Sequence, residues 1–202
     1  MIEQKVGIFQ KEEVKLKDDI KIAEQSDLLL WKSFKSGNES AFILIYETYF
    51  EKLYSYGRRL TSDEGIIKDA IQDLFIELRE NRENLGDTDS IKFYLFKCLK
   101  RKIIRELESW VYKHEELKEG LPVEITFSHE QVLIDSQLDI EKTDRLNQAL
   151  QGLSKRKREA LYYLYYEGLS YEQIGDIMDL SHVKSARNLV YKALDFLRRA
   201  IG

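Results

Sequence analysis

Cysteine, proline and glycine are all scarce in this chain of 202 residues, which contains one cysteine, one proline and ten glycines. The single cysteine, Cys98, excludes an internal disulfide framework and a cysteine-rich zinc site. The low glycine and proline content, beside many leucines, isoleucines, lysines and glutamates, favours helices over sheets. The apolar runs are too short to cross a bilayer, and the charged N-terminus lacks the apolar core of a signal peptide. The composition therefore predicts a soluble, cytoplasmic, all-α protein without membrane insertion.

Charge is distributed unevenly along the chain, although the formal net charge is only -4. The segment Lys92–Arg105 contains six lysines or arginines and no acidic residue. The segment Ser62–Asp89 contains nine acidic residues and three basic ones. Local charge governs electrostatic contact better than the chain total, so the two blocks indicate two different partners. Two solvated helix faces would give the same pattern, and this alternative stays open.

Helical periodicity predicts two small helical domains joined by a flexible linker. The expected divisions are a charged arm over 1–25, a first domain over 26–112, a linker over 113–139 and a second domain over 140–202. Seven helices are expected, over 27–35, 39–60, 63–83, 90–112, 140–151, 154–166 and 170–178. After a turn at 179–181, a last helix is expected to continue to about residue 200.

Apolar residues at spacings of three and four predict which helix faces are buried. In the second helix the expected core residues are Phe42, Tyr46, Tyr49, Phe50, Leu53 and Tyr56. In the third helix they are Ile67, Ile71, Leu74, Phe75 and Leu78. In the last helix they are Val183, Ala186, Val190, Ala193, Leu194 and Leu197.

The sharpest pattern is a short capped helix, a turn and a longer helix near the C-terminus, which is the layout of a helix-turn-helix. Ser170 and Gln173 form a capping box, and Ser181 is expected to cap the last helix. Gly175 is expected to allow close approach of the two helices. One face of the last helix combines cations, an amide and a tyrosine hydroxyl, which suit phosphates and base edges. This face contains Lys184, Arg187, Asn188, Tyr191 and Lys192. With the basic run Lys155–Arg158, it predicts contact with DNA.

Two further helix faces have a chemistry of their own. Asp69, Gln72, Asp73 and Glu77 form a polar ridge opposite the apolar stripe of the third helix. Such a ridge could dock on a basic protein helix, and a solvated surface explains it equally well.

The segment Phe93–Arg105 alternates aromatic residues with cations, which suits backbone phosphates and exposed bases. Within it, Cys98 is expected to be a packing residue rather than a nucleophile.

Three segments, in this order, resemble the bacterial extracytoplasmic-function (ECF) sigma factors of the sigma-70 family. The segment Asp69–Phe75 resembles their helix that binds core polymerase. Phe93–Lys97, with the basic residues after it, resembles their helix that recognises the promoter -10 element. Gly168–Met178 resembles their domain 4 helix-turn-helix, which recognises the -35 element. The resemblance covers roughly Asp27 to Arg199.

This resemblance implies a sigma factor that binds core RNA polymerase and directs promoter recognition and transcription initiation. The implied partners are core RNA polymerase, promoter DNA and an anti-sigma factor, with no cofactor and no metal. The implied polymerase-binding residues are Asp69, Gln72, Asp73 and Glu77. The implied -10 residues are Lys97, Lys100, Arg101 and Arg105. The implied -35 residues are Ser181, Lys184, Arg187, Asn188, Tyr191 and Lys192. The chain departs from the family's pattern at Gly152–Ser154, where Leu-Pro is common, and at Arg101, where Asn is common.

Two other function classes remain for comparison. A stand-alone helix-turn-helix regulator with an N-terminal dimerisation or sensing domain would need only the C-terminal DNA-contacting face. The basic, aromatic segment at 92–105 therefore counts against it. A helical hydrolase or metal enzyme would need clustered catalytic groups, but His114, His129 and His182 are dispersed. The sequence thus predicts a protein that is not an enzyme.

Overall fold

The structure is a computed structural model, and it describes residues 26–114 and 148–201. Within those two ranges the chain forms helices and turns, with no strand. The expectation of an all-α fold is confirmed. The expected arm over 1–25 lies outside the described residues, as does the expected linker apart from residues 113 and 114, which belong to a helix.

Within the described residues, which leave out 140–147 of the expected helix over 140–151, the helices follow the predicted order, with small differences at their ends. They are α1 (residues 26–35), α2 (Glu39–Leu60), α3 (Glu64–Glu80), α4 (Ile91–His114), α5 (residues 148–151), α6 (Lys155–Tyr165), α7 (Tyr171–Ile177) and α8 (Val183–Ile201). Helix α3 ends at Glu80, before the expected residue 83, and a 3-10 turn over Arg82–Asn84 follows. At this end both the backbone amide and Nδ2 of Asn81 donate to the carbonyl of Glu77 at 3.0 Å.

The described chain divides into two compact units, and the dividing points lie within α2, α3 and α4. Among the described residues, one unit contains 26–54 and 68–99, and the other contains 55–67, 100–114 and 148–201. The division expected at the linker over 113–139 stays a prediction.

Helix α1 fixes the start of α4 in the first unit. The side chain of Trp31 is fully buried, and the centre of its ring lies 5.4 Å from the centre of the Phe34 ring. The Nε1 of Trp31 donates a hydrogen bond to the carbonyl oxygen of Gly86 at 2.8 Å. Asp27 accepts a hydrogen bond from the amide of Ile91, the first residue of α4, at 2.8 Å. Burial raises the pKa of Asp27 although this hydrogen bond opposes the shift. The loop before α4 is therefore held at both ends by side chains of α1.

The second unit is packed around α6, α7 and α8. Ala160, Ile174, Ala186 and Val190 are fully or almost fully buried. The buried hydroxyl of Tyr56 shares a hydrogen bond of 2.6 Å with the buried hydroxyl of Tyr163. Burial raises the pKa of both tyrosines well above its usual value, so the pair is neutral.

The ends of α6 and α7 show which capping predictions were right. The capping box of α7 is confirmed, since Ser170 accepts from the amide of Gln173 at 3.2 Å and Gln173 accepts from the amide of Ser170 at 2.9 Å. Ser154 occupies the N-cap position of α6, but its side chain makes no capping hydrogen bond. Gly168, two residues beyond the C-cap Tyr166, has a left-handed backbone with φ +62°.

Two packing expectations are wrong. A Cβ added to Gly175 would meet only the Cα of Val183 at 4.0 Å, which is ordinary contact, so α7 and α8 do not need this glycine for close approach. The close approach is elsewhere, because a Cβ on Gly57 of α2 would lie 2.7 Å from Cγ2 of Ile67 in α3. Val183, expected to face inward, is 36% exposed because it is the first residue of α8.

Candidate functional site

The polar ridge of α3 is formed as the sequence predicts. Asp69, Gln72, Asp73 and Glu77 are all exposed, while Ile71 and the other expected apolar residues of α3 are buried on the opposite face. We call these four residues the acidic ridge. Their exposure is confirmed, and their role in binding stays a prediction.

An aromatic groove lies beside the acidic ridge, between α2 and α3. It is lined by Phe42, Tyr46, Phe50, Phe75 and Ile76, with further residues of α3 at its edge. Tyr46 was expected in the core but is 41% exposed, and Ile76 is 45% exposed. The ring of Tyr46 packs edge-on against Phe75 at 4.8 Å. The apolar spacing of three and four predicted α2 as a helix, but this spacing does not show where a helix face lacks a covering neighbour.

The four predicted -10 residues all lie on α4, but their environments differ. Arg101 and Arg105 are exposed. Lys97 is half-buried, and its ammonium lies 5.9 Å from the centre of the Phe93 ring. The two arginines therefore present their charge to solvent, while the lysine lies along an aromatic side chain.

Lys100, another predicted -10 residue, forms an ion pair and a hydrogen bond within its own unit. Its Nζ lies 2.7 Å from Oε1 of Glu159 in α6 and donates to the carbonyl of Ile177 in α7 at 2.9 Å. The Lys100 side chain is only 12% exposed, and that of Glu159 is 20% exposed. The ammonium also lies 5.8 Å from the centre of the Tyr163 ring. Sequence reasoning missed Glu159 because no local signal connects residues so far apart in the chain.

The predicted face of α8 is exposed along its whole length. Lys184, Arg187, Asn188, Tyr191 and Lys192 all face solvent, while Ala186, Val190 and Ala193 are buried behind them. A tight turn precedes this helix, with Asp179 in the left-handed region at φ +50°. The structure therefore presents as one surface the five α8 residues that the sequence assigned to DNA.

Ser181 is not the N-cap that the sequence predicts, while its assignment to the -35 element stays a prediction. Helix α8 begins at Val183, so His182 is the residue before the first helical position. Ser181 lies one position further out and is not the N-cap. The serine is exposed at the turn that leads into α8.

Two residues of the basic run Lys155–Arg158, the arginines at 156 and 158, donate hydrogen bonds to backbone carbonyls of their own unit. The guanidinium of Arg158 donates to the carbonyls of Leu150, Gln151 and Leu153 at 3.1–3.2 Å. Two of these carbonyls belong to the last turn of α5, and that of Leu153 lies in the turn that follows. Arg156 reaches the carbonyl of Met178 at 3.4 Å. The run therefore contributes fewer free cations for DNA than its composition indicates.

The described side chains contain no group of three His, Cys, Asp or Glu residues that could hold a metal ion. No helix in the same part of the chain is both long and apolar enough to span a membrane.

Two family models match the chain. The sigma-70 region 2 model matches residues 45–110, and the sigma-70 region 4 model matches residues 143–197. The first match includes the acidic ridge and most of α4, and the second includes α6, α7 and α8 as far as Leu197.

Curated relatives agree with these matches. The ECF RNA polymerase sigma factor SigL of Mycobacterium tuberculosis is 25% identical over 164 residues, which are 78% of this chain and 89% of that protein. The RNA polymerase sigma factor SigZ of Bacillus subtilis is 21% identical over 138 residues, which are 68% of this chain and 74% of that protein.

Solved structures show the same fold. CnrH, in complex with the cytosolic domain of CnrY, is similar with a TM-score of 0.53 and 19% identity, over 86% of this chain and 95% of that one. The sigma factor RpoE of Bartonella quintana, in complex with the anti-sigma factor NepR, has a TM-score of 0.52 and 18% identity, over 80% of this chain and 94% of that one. With both regions of the family matched in order, and with relatives that are ECF sigma factors, the chain belongs to the sigma-70 family as an ECF sigma factor.

Proposed function

We infer that this sigma factor directs promoter recognition and transcription initiation through three separate surfaces. The acidic ridge and aromatic groove serve core RNA polymerase, the cations of α4 serve the -10 element, and the exposed face of α8 serves the -35 element. One observation carries the inference: three exposed faces of different chemistry lie within the residues that match sigma-70 regions 2 and 4. A stand-alone regulator is not favoured, because it has no need of region 2.

The polymerase surface combines charge with apolar area. Asp69 and Asp73 lie one helical turn apart on the acidic ridge and can attract a basic helix of the polymerase. Beside them, the exposed parts of Tyr46 and Ile76 offer apolar contact to the same partner. Charge should set the encounter rate and orientation, while burial of the groove residues should contribute most of the affinity.

The -10 surface rests on the exposed arginines of α4. Arg101 and Arg105 can neutralise phosphates, and the aromatic side chain of Phe93, half-buried at the start of α4, offers a stacking surface for an unpaired base. Holding an unstacked strand is what promoter melting requires. Lys97 contributes from its position beside Phe93.

The -35 surface is the exposed face of α8, placed in the major groove. Recognition helices read bases mainly from their N-terminal part, which assigns base contacts to Lys184, Arg187 and Asn188. Tyr191 and Lys192, about one turn beyond Arg187 and Asn188, would then contact the sugar-phosphate backbone. An arginine in this position suits guanine, whose N7 and O6 accept a bidentate pair of hydrogen bonds.

Other features of the role follow from the family. Sigma factors are non-enzymatic regulatory proteins, and we propose that this chain has no catalytic activity of its own. Two structurally similar proteins were solved with a bound partner, which for the sigma factor RpoE is the anti-sigma factor NepR. We propose an anti-sigma partner for this chain too, and a cytoplasmic location beside polymerase and DNA.

A charge-reversal experiment tests the polymerase surface. Asp69→Lys with Asp73→Lys should weaken binding to core RNA polymerase about tenfold, because both residues face a basic partner and neither is buried. The matched control is Glu47→Lys with Glu51→Lys, which has the same spacing, exposure and charge change on α2. Binding is measured by competition against labelled wild-type protein for immobilised core enzyme.

The two pairs separate a specific surface from a general charge effect. Loss of affinity in the first pair alone supports the acidic ridge as the docking site. Equal loss in both pairs, or unchanged affinity in the first, rejects that assignment. Transcription by the reconstituted holoenzyme from a promoter library then tests the role itself, because a stand-alone regulator would give no polymerase-dependent transcripts.

A further inference from the structure

Arg187 lies on the exposed face of α8, and its guanidinium rests over an aromatic ring of the neighbouring helix. The guanidinium carbon lies 5.4 Å from the centre of the Tyr171 ring. Within the described residues no ion pair holds Arg187, so this ring is the contact that restricts it. Arg187 is the fifth residue of α8, in the part of a recognition helix that reads bases.

Tyr171 is itself firmly placed. It is the first residue of α7, directly after the N-cap Ser170, and the capping box with Gln173 fixes that end of the helix. Tyr171 is half-buried. Burial raises its pKa, the nearby Tyr191 and Tyr165 raise the pKa further, and the Arg187 cation lowers it. The ring therefore belongs to a rigid helix end and lies among other side chains of the same surface.

A cation–π contact leaves the hydrogen-bond donors of the arginine available to a ligand. The ring attracts the positive charge and accepts no conventional hydrogen bond, so the five N–H donors of the guanidinium can still meet a base edge. A mobile arginine side chain loses rotamer entropy when it is fixed, and one held over a ring has lost part of that already. A ring beneath Arg187 thus lowers the entropic cost of a bidentate contact without occupying its donors.

We propose that Tyr171 is a positioning residue that holds Arg187 for reading a guanine in the -35 element. The proposal rests on the proposed function of the α8 face. Tyr171 acts through Arg187 and needs no contact with a base. A cation over an exposed ring is worth about 0.5–1 kcal/mol, which corresponds to about two- to fivefold in discrimination at the base that Arg187 reads.

The test uses full-length protein reconstituted with core RNA polymerase and a promoter library in which the -10 and -35 elements are randomised. Sequencing of the transcripts gives the base preference at each position. Arg187→Ala should abolish the preference at one position of the -35 element. Tyr171→Leu should reduce preference at that same position two- to fivefold and leave the other positions unchanged. Tyr171→Phe, which keeps the ring, should restore the wild-type preference.

Each alternative gives a different result. If Arg187→Ala changes no base preference, the α8 face is not the reader and the proposed function of that face fails. If Arg187→Ala acts but Tyr171→Leu does not, only the positioning role is rejected. A uniform loss over all positions with Tyr171→Leu would mean a structural role, and a loss with Tyr171→Phe would mean a contact by the hydroxyl. Both results overturn the proposal.

Discussion

Replacing Gly57 by alanine sets two opposite effects against each other. Alanine in the interior of α2 should stabilise the helix by about 1 kcal/mol relative to glycine. The added Cβ, however, would lie 2.7 Å from Cγ2 and 3.3 Å from Cγ1 of Ile67. Ordinary contact begins at 3.4 Å, so α2, α3 or the isoleucine side chain has to move.

The surroundings make that movement costly. Ile67 is fully buried, and its branched side chain is restricted to few rotamers. Overpacking of a dense interior costs about 1–3 kcal/mol, and occasionally more. Because the clash is with a carbon near the backbone rather than a flexible end, we expect the upper part of that range. The net result is a protein destabilised by about 1–2 kcal/mol.

Urea unfolding followed by circular dichroism measures this change. The control Ser55→Ala, at an exposed position of α2, should raise stability by a few tenths of a kcal/mol through propensity alone. In an Ile67→Ala background the obstructing atoms are gone, so Gly57→Ala should become stabilising. A Gly57→Ala protein as stable as the wild type, or more stable, would refute the reasoning.

Three other changes test contacts described above. Glu159→Gln should destabilise the protein by about 1–3 kcal/mol, because it removes the charge that pairs with the mostly buried Lys100. The control Glu172→Gln, on the exposed surface of α7, should change the urea midpoint little. Ser170→Ala should cost about 1 kcal/mol through loss of the capping box, measured in the same urea assay. The pKa of Asp27 is raised above 3.8, so the folded protein binds this proton more tightly than the unfolded chain does, and stability should fall as pH rises through the folded pKa. Asp27→Asn should remove that part of the pH dependence. A carboxyl NMR titration that finds the pKa of Asp27 at or below 3.8 in the folded protein would contradict this prediction.

Local signals predicted most of the fold. Helix α2 covers the expected range 39–60, because its apolar spacing and the turn before it are both local. The capping box of α7 depends on two side chains three residues apart, so the sequence shows it directly. The exposed face of α8 and the acidic ridge follow from helical geometry alone, since burial of one face exposes the other.

Contacts between distant residues could not be predicted in this way. Asp27 supports the start of α4 across 64 residues, and Trp31 reaches Gly86 across 55. Lys100 meets Glu159 across 59 residues. Nothing in the spacing of α4 distinguishes this lysine from its exposed neighbour Arg101. The same limit explains why the exposed position of Tyr46 was missed, because a helix stripe does not show which of its residues a second helix will cover.

The ion pair of Lys100 has a consequence for the thermodynamics of promoter binding. The ammonium has three donors, and two of them already point to Glu159 and the carbonyl of Ile177. A phosphate can bind the Lys100 ammonium only by displacing the Glu159 carboxylate, and the Ile177 carbonyl then needs another hydrogen-bond donor. Counterions are released from DNA when a free cation neutralises a phosphate, but here the protein gains an unpaired carboxylate at the same moment. Contact at Lys100 should therefore contribute less net affinity, and a smaller salt dependence, than contact at the solvent-exposed Arg101 one residue away.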